Sequence, residues 1–172
     1  KLGHKVIVLT GGRSATELAE DGIEFEHVDI NRFSFNPISD LRLFLKTSIL
    51  IWEKRPESLH LITLKPAVYA GIAATIMHKL AGSPAKILIT IPGLGRLLAP
   101  GSKLTGLKAR AARHLSLTIL RMLGRRSFVH FTFKTGHDRQ TMIDHGVVNE
   151  LNSTVIAGAG VDGEVYRPIP KK

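Results

Sequence analysis

The feature that most constrains this chain is an alternation. Six short apolar runs, most rich in β-branched residues, are separated by stretches long enough to hold a helix or a crossover. The runs are Lys5–Thr10, Ile23–Asp29, Ser58–Thr63, Lys86–Ile91, Ser127–Phe133 and Thr154–Ala157. Runs of this length bounded by Gly, Pro, Asn or Asp read as strands. Strands joined through helices pair in parallel, because the connection has to cross over the sheet. The expected fold is therefore α/β: a Rossmann-like, mostly parallel sheet with helices on both faces.

The connecting stretches carry helix signals. Ser14 and Glu17 have capping-box spacing for a helix over 15–21. Asn36-Pro37 reads as an N-cap with proline at the first helical position. The stripe Leu41, Phe44, Leu45, Ser48, Ile49 and Trp52 then fits a helix that ends before Pro56. Residues 67–81 predict a helix in which Ala70, Gly71, Ala73 and Ala74 permit close packing, closed by Gly82. Residues 103–123 predict the longest helix, with Leu104, Leu107, Ala111, Leu115, Ile119 and Met122 as its apolar stripe and Leu117, Leu120 and Leu123 added to the core-facing set. Thr135 and Asp138 repeat the capping spacing for 136–145.

At 172 residues the chain fits one ordinary domain, and 44% apolar content excludes a disordered tail. The absence of cysteine removes disulfides, thiolate catalysis and cysteine-ligated metals. No run of eighteen apolar residues exists to span a bilayer. The chain opens at Lys1, its first methionine is Met77, and Leu2-Gly3-His4-Lys5-Val6 reads like the turn out of a helix. A strand and a helix are therefore expected upstream. Residues 1–157 form a lobe incomplete at its start, and the Gly- and Pro-rich residues 158–172 form an exit linker.

Charge is segregated. Residues 1–57 carry eight Lys and Arg against nine Asp and Glu, and residues 138–172 carry four against five. Residues 58–137 carry twelve basic side chains and no acidic one, so the net charge of +10 comes from one block. Such a field suits an anionic partner, although a solubilising surface accounts for it too. Within it Lys103, Lys108, Arg110, Arg113, Arg121, Arg125 and Arg126 belong to or border the 103–123 helix. A basic amphipathic helix can lie on an anionic membrane surface. Nucleic acid is not expected, because aromatics are only 6% and no stacking or helix-turn-helix pattern stands out.

In parallel α/β sheets, ligands sit at the carboxyl ends of the strands. Three segments there draw attention. Gly11-Gly12 permits close approach of a ligand, yet its spacing is no dinucleotide fingerprint, and a plain loop explains it as well. Lys65-Pro66 places a cation at a helix start, where it can hold a phosphate or a sugar hydroxyl or stand as an ordinary surface lysine. Gly93-Leu94-Gly95 follows a buried strand, in a loop suited to run close to a ligand or a second domain. Eight histidines form no metal motif, so no metal is expected; His60 and His130, within strands, read as core or near-core. A His137-Asp138 or Asp144-His145 dyad lacks a neighbouring nucleophile motif. Asn152-Ser153-Thr154 matches a glycosylation sequon and reads as chance.

Taken in order, the segments "GHKV" at 3–6, "GIEFEHVDINRFSFNPISDL" at 22–41, "KRPESLHLITLKPAVYAGIAA" at 54–74, "IPGLGRLL" at 91–98, "FTFKTGHDRQTMIDHG" at 131–146 and "IAGAGVDGEVYRP" at 156–168 resemble the N-terminal domain of bacterial GT-B glycosyltransferases. The group is family 4-like and builds capsule, exopolysaccharide or lipid-linked oligosaccharide. The resemblance implies an acceptor-side lobe facing a C-terminal donor-binding lobe that this sequence does not contain. It implies sugar transfer from a nucleoside diphosphate sugar, UDP-linked by preference, to a lipid-linked or saccharide acceptor, with no cofactor held by this chain. Lys65, Pro66, Gly93, Leu94 and Gly95 are implied to border the cleft, without an assigned proton-transfer role, and Gly11, Gly12 and Asp138 stand beside them as cleft or acceptor-side candidates. At 134–138, Lys-Thr-Gly-His-Asp departs from the group's usual Asn or Gln, polar pair and Asp. The implied location is cytoplasmic, peripheral on the inner face of the membrane, and the fragment alone is expected to be inactive. Two alternatives stand beside this reading. One is a non-catalytic lobe or subunit of a split glycosyltransferase that binds an anionic membrane or a partner chain. The other is a Rossmann-type oxidoreductase whose dinucleotide fingerprint precedes residue 1.

Overall fold

The computed structural model describes residues 4–10, 24–28, 37–98 and 106–158. In chain order these form β1 (Ile7–Thr10), β2 (Glu24–His27), α1 (Pro37–Lys54), β3 (Ser58–Ile62), α2 (Leu64–Ala81), β4 (Lys86–Ile91), α3 (Gly95–Leu98), α4 (Leu107–Gly124), β5 (Val129–Phe133), α5 (Gly136–Asp144) and β6 (Ser153–Val155). All six expected strands are present, trimmed by a residue or two at several ends. The expected helix over 15–21 and residues 103–105 of the longest helix lie outside the described residues.

The strands pair in parallel throughout, in two sheets: β1-β2, and β3-β4-β5-β6 in sequential order. Successive right-handed crossovers in one direction put their helices on one face. Accordingly α2, α4 and α5 share a single core with the alternate residues Ile87, Ile89 and Ile91 of β4 and Val129, Phe131 and Phe133 of β5. The other face of this sheet carries a polar ladder. His60 Nε2 lies 2.7 Å from Thr90 Oγ1, which is 2.7 Å from Thr132 Oγ1; His130 Nε2 lies 2.9 Å from Thr154 Oγ1. His60 is exposed and His130 half-buried, which corrects the expectation of a core or near-core histidine for His60: β3 is an edge strand of its sheet.

The small residues of α2 act as expected. Ala67, Ala70, Ala73 and Ala74 are buried, and a Cβ at Gly71 would stand 2.7 Å from Leu123 Cδ1 of α4. Gly124, the last residue of α4, is tighter, since a Cβ there would stand 1.9 Å from the Val147 carbonyl oxygen. Gly82 caps α2 in the left-handed conformation at φ 59° and ψ 32°, which favours glycine. Helix α2 starts three residues earlier than expected, and the glycine-rich loop after β4 turns into the single-turn α3. Asn152 is structural: its Nδ2 donates to the Gly124 carbonyl at 2.7 Å and its Oδ1 accepts from the Asn149 amide at 2.7 Å, so a glycan on Nδ2 would compete with the bond to Gly124.

The largest difference from the sequence reading is the phase of two helices. In α4, Leu107, Leu115 and Met122 were expected in the core-facing stripe, and they are 82%, 60% and 37% exposed. Ala111 is exposed too; the buried set is Leu117, Leu120 and Leu123, with the half-buried Ile119 packed against the core beside them as expected. In α1 four members of the stripe that signals the helix, Leu41, Leu45, Ile49 and Trp52, are exposed and Phe44 and Ser48 half-buried, while Asp40, Leu43, Thr47 and Ile51 are buried. Two of those four are polar, and each is satisfied: Asp40 by Lys65 at 2.7 Å and Thr47 by its own helix, its hydroxyl donating to the Leu43 carbonyl at 2.7 Å. Helix α1 also ties down the small sheet, through Lys46 to Glu26 at 3.0 Å and Lys54 to Glu24 at 3.3 Å.

Candidate functional site

Parallel pairing brings the carboxyl ends of β3, β4, β5 and β6 to one edge. The described part of that rim is made of Thr63 to Pro66 after β3, Pro92 to Gly95 after β4, Lys134 to Asp138 after β5 and Ile156 to Gly158 after β6. Gly11 and Gly12, after β1, lie outside the described residues.

After β3 the backbone is strained. Thr63 sits at φ 77° and ψ 168°, with no side-chain cap bond, and its amide donates to the Thr90 carbonyl at 3.0 Å. A positive φ at a β-branched residue costs about 1–3 kcal/mol, and such strain concentrates at functional loops. Next to it Lys65 and Asp40 form an ion pair at 2.7 Å, with side chains only 13% and 8% exposed. Tyr69 completes the cluster. Burial, and after it a hydrogen bond to the Asp40 carboxylate, push its phenol up to about 12. The Lys65 ammonium is thus engaged by an internal carboxylate and locks the start of α1 to the start of α2. Its neighbour Pro66 is half-buried in the first turn of α2.

After β4, Leu94 and its flanking glycines do different things. Leu94 is 4% exposed and belongs to the core cluster, so it anchors the loop rather than lining its outside. Gly93 and Gly95 are exposed. Gly95 has φ +60°, which favours glycine on conformational grounds. Gly93 has no such requirement, and a Cβ there would meet nothing within 4 Å. The fold as described therefore does not need glycine at 93.

After β5, Thr135 caps α5 as the spacing predicts, its hydroxyl accepting from the Asp138 amide at 3.0 Å. Asp138 is half-buried in the first turn, where the helix dipole favours a carboxylate. Lys134 is exposed, and its Nζ would stand 3.8 Å from a Cβ at Gly158.

The basic candidates separate into groups. Arg110 and Arg125 are exposed and Arg113 and Arg126 half-buried. Arg121 donates from Nε to the His145 carbonyl at 2.7 Å, so it serves the fold. Lys103 and the side chain of Lys108 lie outside the described residues. Among the described residues no group of three or more His, Asp and Glu is placed to hold a metal, and no helix is long and apolar enough to cross a membrane.

Sequence reasoning singled out the segment after β3 but missed the strain at Thr63, and it missed Asp40. Positive φ at a threonine leaves no trace in composition. Asp40 had a faint signal, since it sits at helical spacing with Leu43, Thr47 and Ile51, a row less apolar than its competitor.

A family model described as glycosyl transferase 4-like matches residues 1–119, which run from before β1 into α4. No match was found among curated proteins.

Proposed function

The chain belongs to the glycosyl transferase 4-like family, and from that premise we propose that it is the acceptor-side lobe of a two-lobed enzyme. That enzyme moves a sugar from a nucleoside diphosphate sugar, UDP-linked by preference, to a lipid-linked or saccharide acceptor. A second lobe binds the donor across the rim at the strand ends, so this lobe alone does not turn the donor over. Gly93 carries the reading. Its side chain is absent where the lobe itself has room for one, as expected of a surface that a ligand or a second lobe must approach closely. The strained Thr63 and the Lys65–Asp40 lock hold the neighbouring part of the rim in place.

The two open sheet edges support a further part of this reading. Among the described residues β1 pairs only with β2, and β3 only with β4. One parallel strand between β1 and β3, from chain preceding residue 1, would join both sheets into a single sheet with β2 and β6 at its edges. The outward face of α4 supports peripheral attachment to the cytoplasmic membrane surface. There Leu107, Leu115 and Met122 stand exposed beside Arg110, Arg125 and the half-buried Arg113, in a block without one acidic residue.

The test is Gly93→Leu in the full-length enzyme. The expected result is a loss of turnover of at least about tenfold, equivalent to roughly 1.4 kcal/mol, with an unchanged melting temperature. Full activity in that variant overturns the cleft reading. Release of nucleotide from a UDP-sugar by residues 1–172 alone overturns the two-lobe reading.

A further inference from the structure

Helix α1 keeps a second apolar face. Leu41, Leu45, Ile49 and Trp52 follow one another at intervals of four, four and three residues, one side of a helix through three turns. They are 56%, 49%, 54% and 58% exposed, and they lie opposite Leu43, Thr47 and Ile51, which face inward. The patch amounts to on the order of 400 Å² of apolar surface, the size of the largest patch on an ordinary monomer, which is often functional. An adjoining groove of about 500 Å³ between α1 and β2 is lined by Leu45 and Ile49 on one side and by His27 and Val28 on the other.

We propose that this face is a self-association surface, on which two copies of the chain pair through antiparallel α1 helices about a two-fold axis. Charge separates this occupant from a bilayer. Residues 1–57 are close to charge-balanced, and the stripe is bordered by Glu53 of α1, with Glu24 and Glu26 on the adjoining β2. Glu24 is engaged by Lys5 and Lys54 and Glu26 by Lys46, so this rim offers an anionic leaflet little net attraction, whereas the acid-free block lies elsewhere in the chain.

Self-complementarity favours a second copy. In a two-fold antiparallel pair the same flank of each helix meets its equivalent. Arg42 and Glu53 lie on the same flank, both exposed. Setting Leu45 against the partner's Ile49, and Leu41 against the partner's Trp52, brings Arg42 within one helical step of the partner's Glu53. The symmetry makes that ion pair twice. Apolar faces of this size, with their rims, bury roughly 1,000 Å² in total over two copies, the lower bound for a specific interface and the mark of a reversible one. Arg55, 5.5 Å from the Trp52 ring centre, covers part of the indole within its own copy and steadies it as an anchor.

Sedimentation velocity on the full chain over a concentration series tests this. The expected result is a reversible monomer–dimer equilibrium. Arg42→Glu and Glu53→Arg, each alone, should weaken it by roughly tenfold, and an equimolar mixture of the two variants should restore it, because every cross-pair is then complementary. Leu45→Glu with Ile49→Glu should give a monomer that melts at the parent temperature. A monomer at every soluble concentration overturns the proposal. So does a mixture that associates no better than its components. Flotation on anionic vesicles supplies the competing outcome: if the Leu45→Glu, Ile49→Glu variant loses vesicle binding while the parent sediments as a monomer, the face belongs to lipid and the proposal fails.

Discussion

Helices α1 and α4 make an informative pair. Each runs eighteen residues, each covers part of the core, and each turns an apolar row toward solvent. They differ in what surrounds that row and in how the inner face is made. The outer row of α4 lies in a block of twelve basic and no acidic side chains, whereas that of α1 lies in a segment of eight basic and nine acidic ones. Inside, α4 is seated by close backbone approach at Gly71 and Gly124; α1 is seated by an ion pair, a self-bonded threonine and two aliphatic residues. Apolar exposure alone therefore says little about a partner. The charge around it decides which chemistry can approach, and the inner face decides how much change the helix tolerates.

The sharpest way to separate the two is at their inner faces. Gly124→Val has no room, because a Cβ would stand 1.9 Å from a backbone oxygen that cannot rotate away. Chemical denaturation should show a loss of about 3 kcal/mol or failure to fold. Next comes the lock of α1. Lys65→Met leaves the Asp40 carboxylate buried without its cation, and should cost about 2 kcal/mol; the range for fully buried pairs is discounted here because both side chains keep some solvent. If Lys65→Met proved harmless while Gly124→Val unfolded the chain, the lock would be a minor contribution to seating α1.

The outer faces should behave in the opposite way. Leu107→Ser with Leu115→Ser should leave the melting temperature within about 2 °C, a surface-sized effect, and lower binding to anionic vesicles at low salt. Unchanged flotation would remove the membrane from the account of α4.

Titrations give smaller effects. Tyr69 is raised from 10.0 to about 12 by burial first and by Asp40 second. The folded state holds this proton more tightly, so the contribution is complete below pH 10 and is lost as pH rises toward 12. The chain has two tyrosines, and ultraviolet titration should show one phenol ionising late, a step absent in Tyr69→Phe. The smallest effect is at β2. Hydrogen bonds from Lys5 and then Lys54 hold the exposed Glu24 below its ordinary 4.5. Its contribution is present above pH 4.5 and lost as pH falls through its lowered value, so acid should loosen amide protection in β1 and β2 before β4 and β5.

Much of the rim was legible in the residues. The Thr135 cap and the glycine-bracketed loop after β4 were found from spacing and composition, because both follow from local backbone requirements. Leu94 needed the fold, since a leucine between two glycines is equally at home in a core or in a cleft. Thr63 and Asp40 needed it more, because strain at one residue and pairing across twenty-five positions are not local properties.

The order of the strands and of the long helices, the parallel pairing and the confinement of positive charge to one block were settled by the sequence alone. Each follows from period, punctuation and counting, which need no partner. Which side of α1 and α4 looks inward was settled by tertiary structure. Both helices carry apolar residues on two opposing sides, so a 3.6-residue period fits either orientation. The choice fell to contacts made by other segments: Lys65 reaching for Asp40, and the gap at Gly71 that admits Leu123.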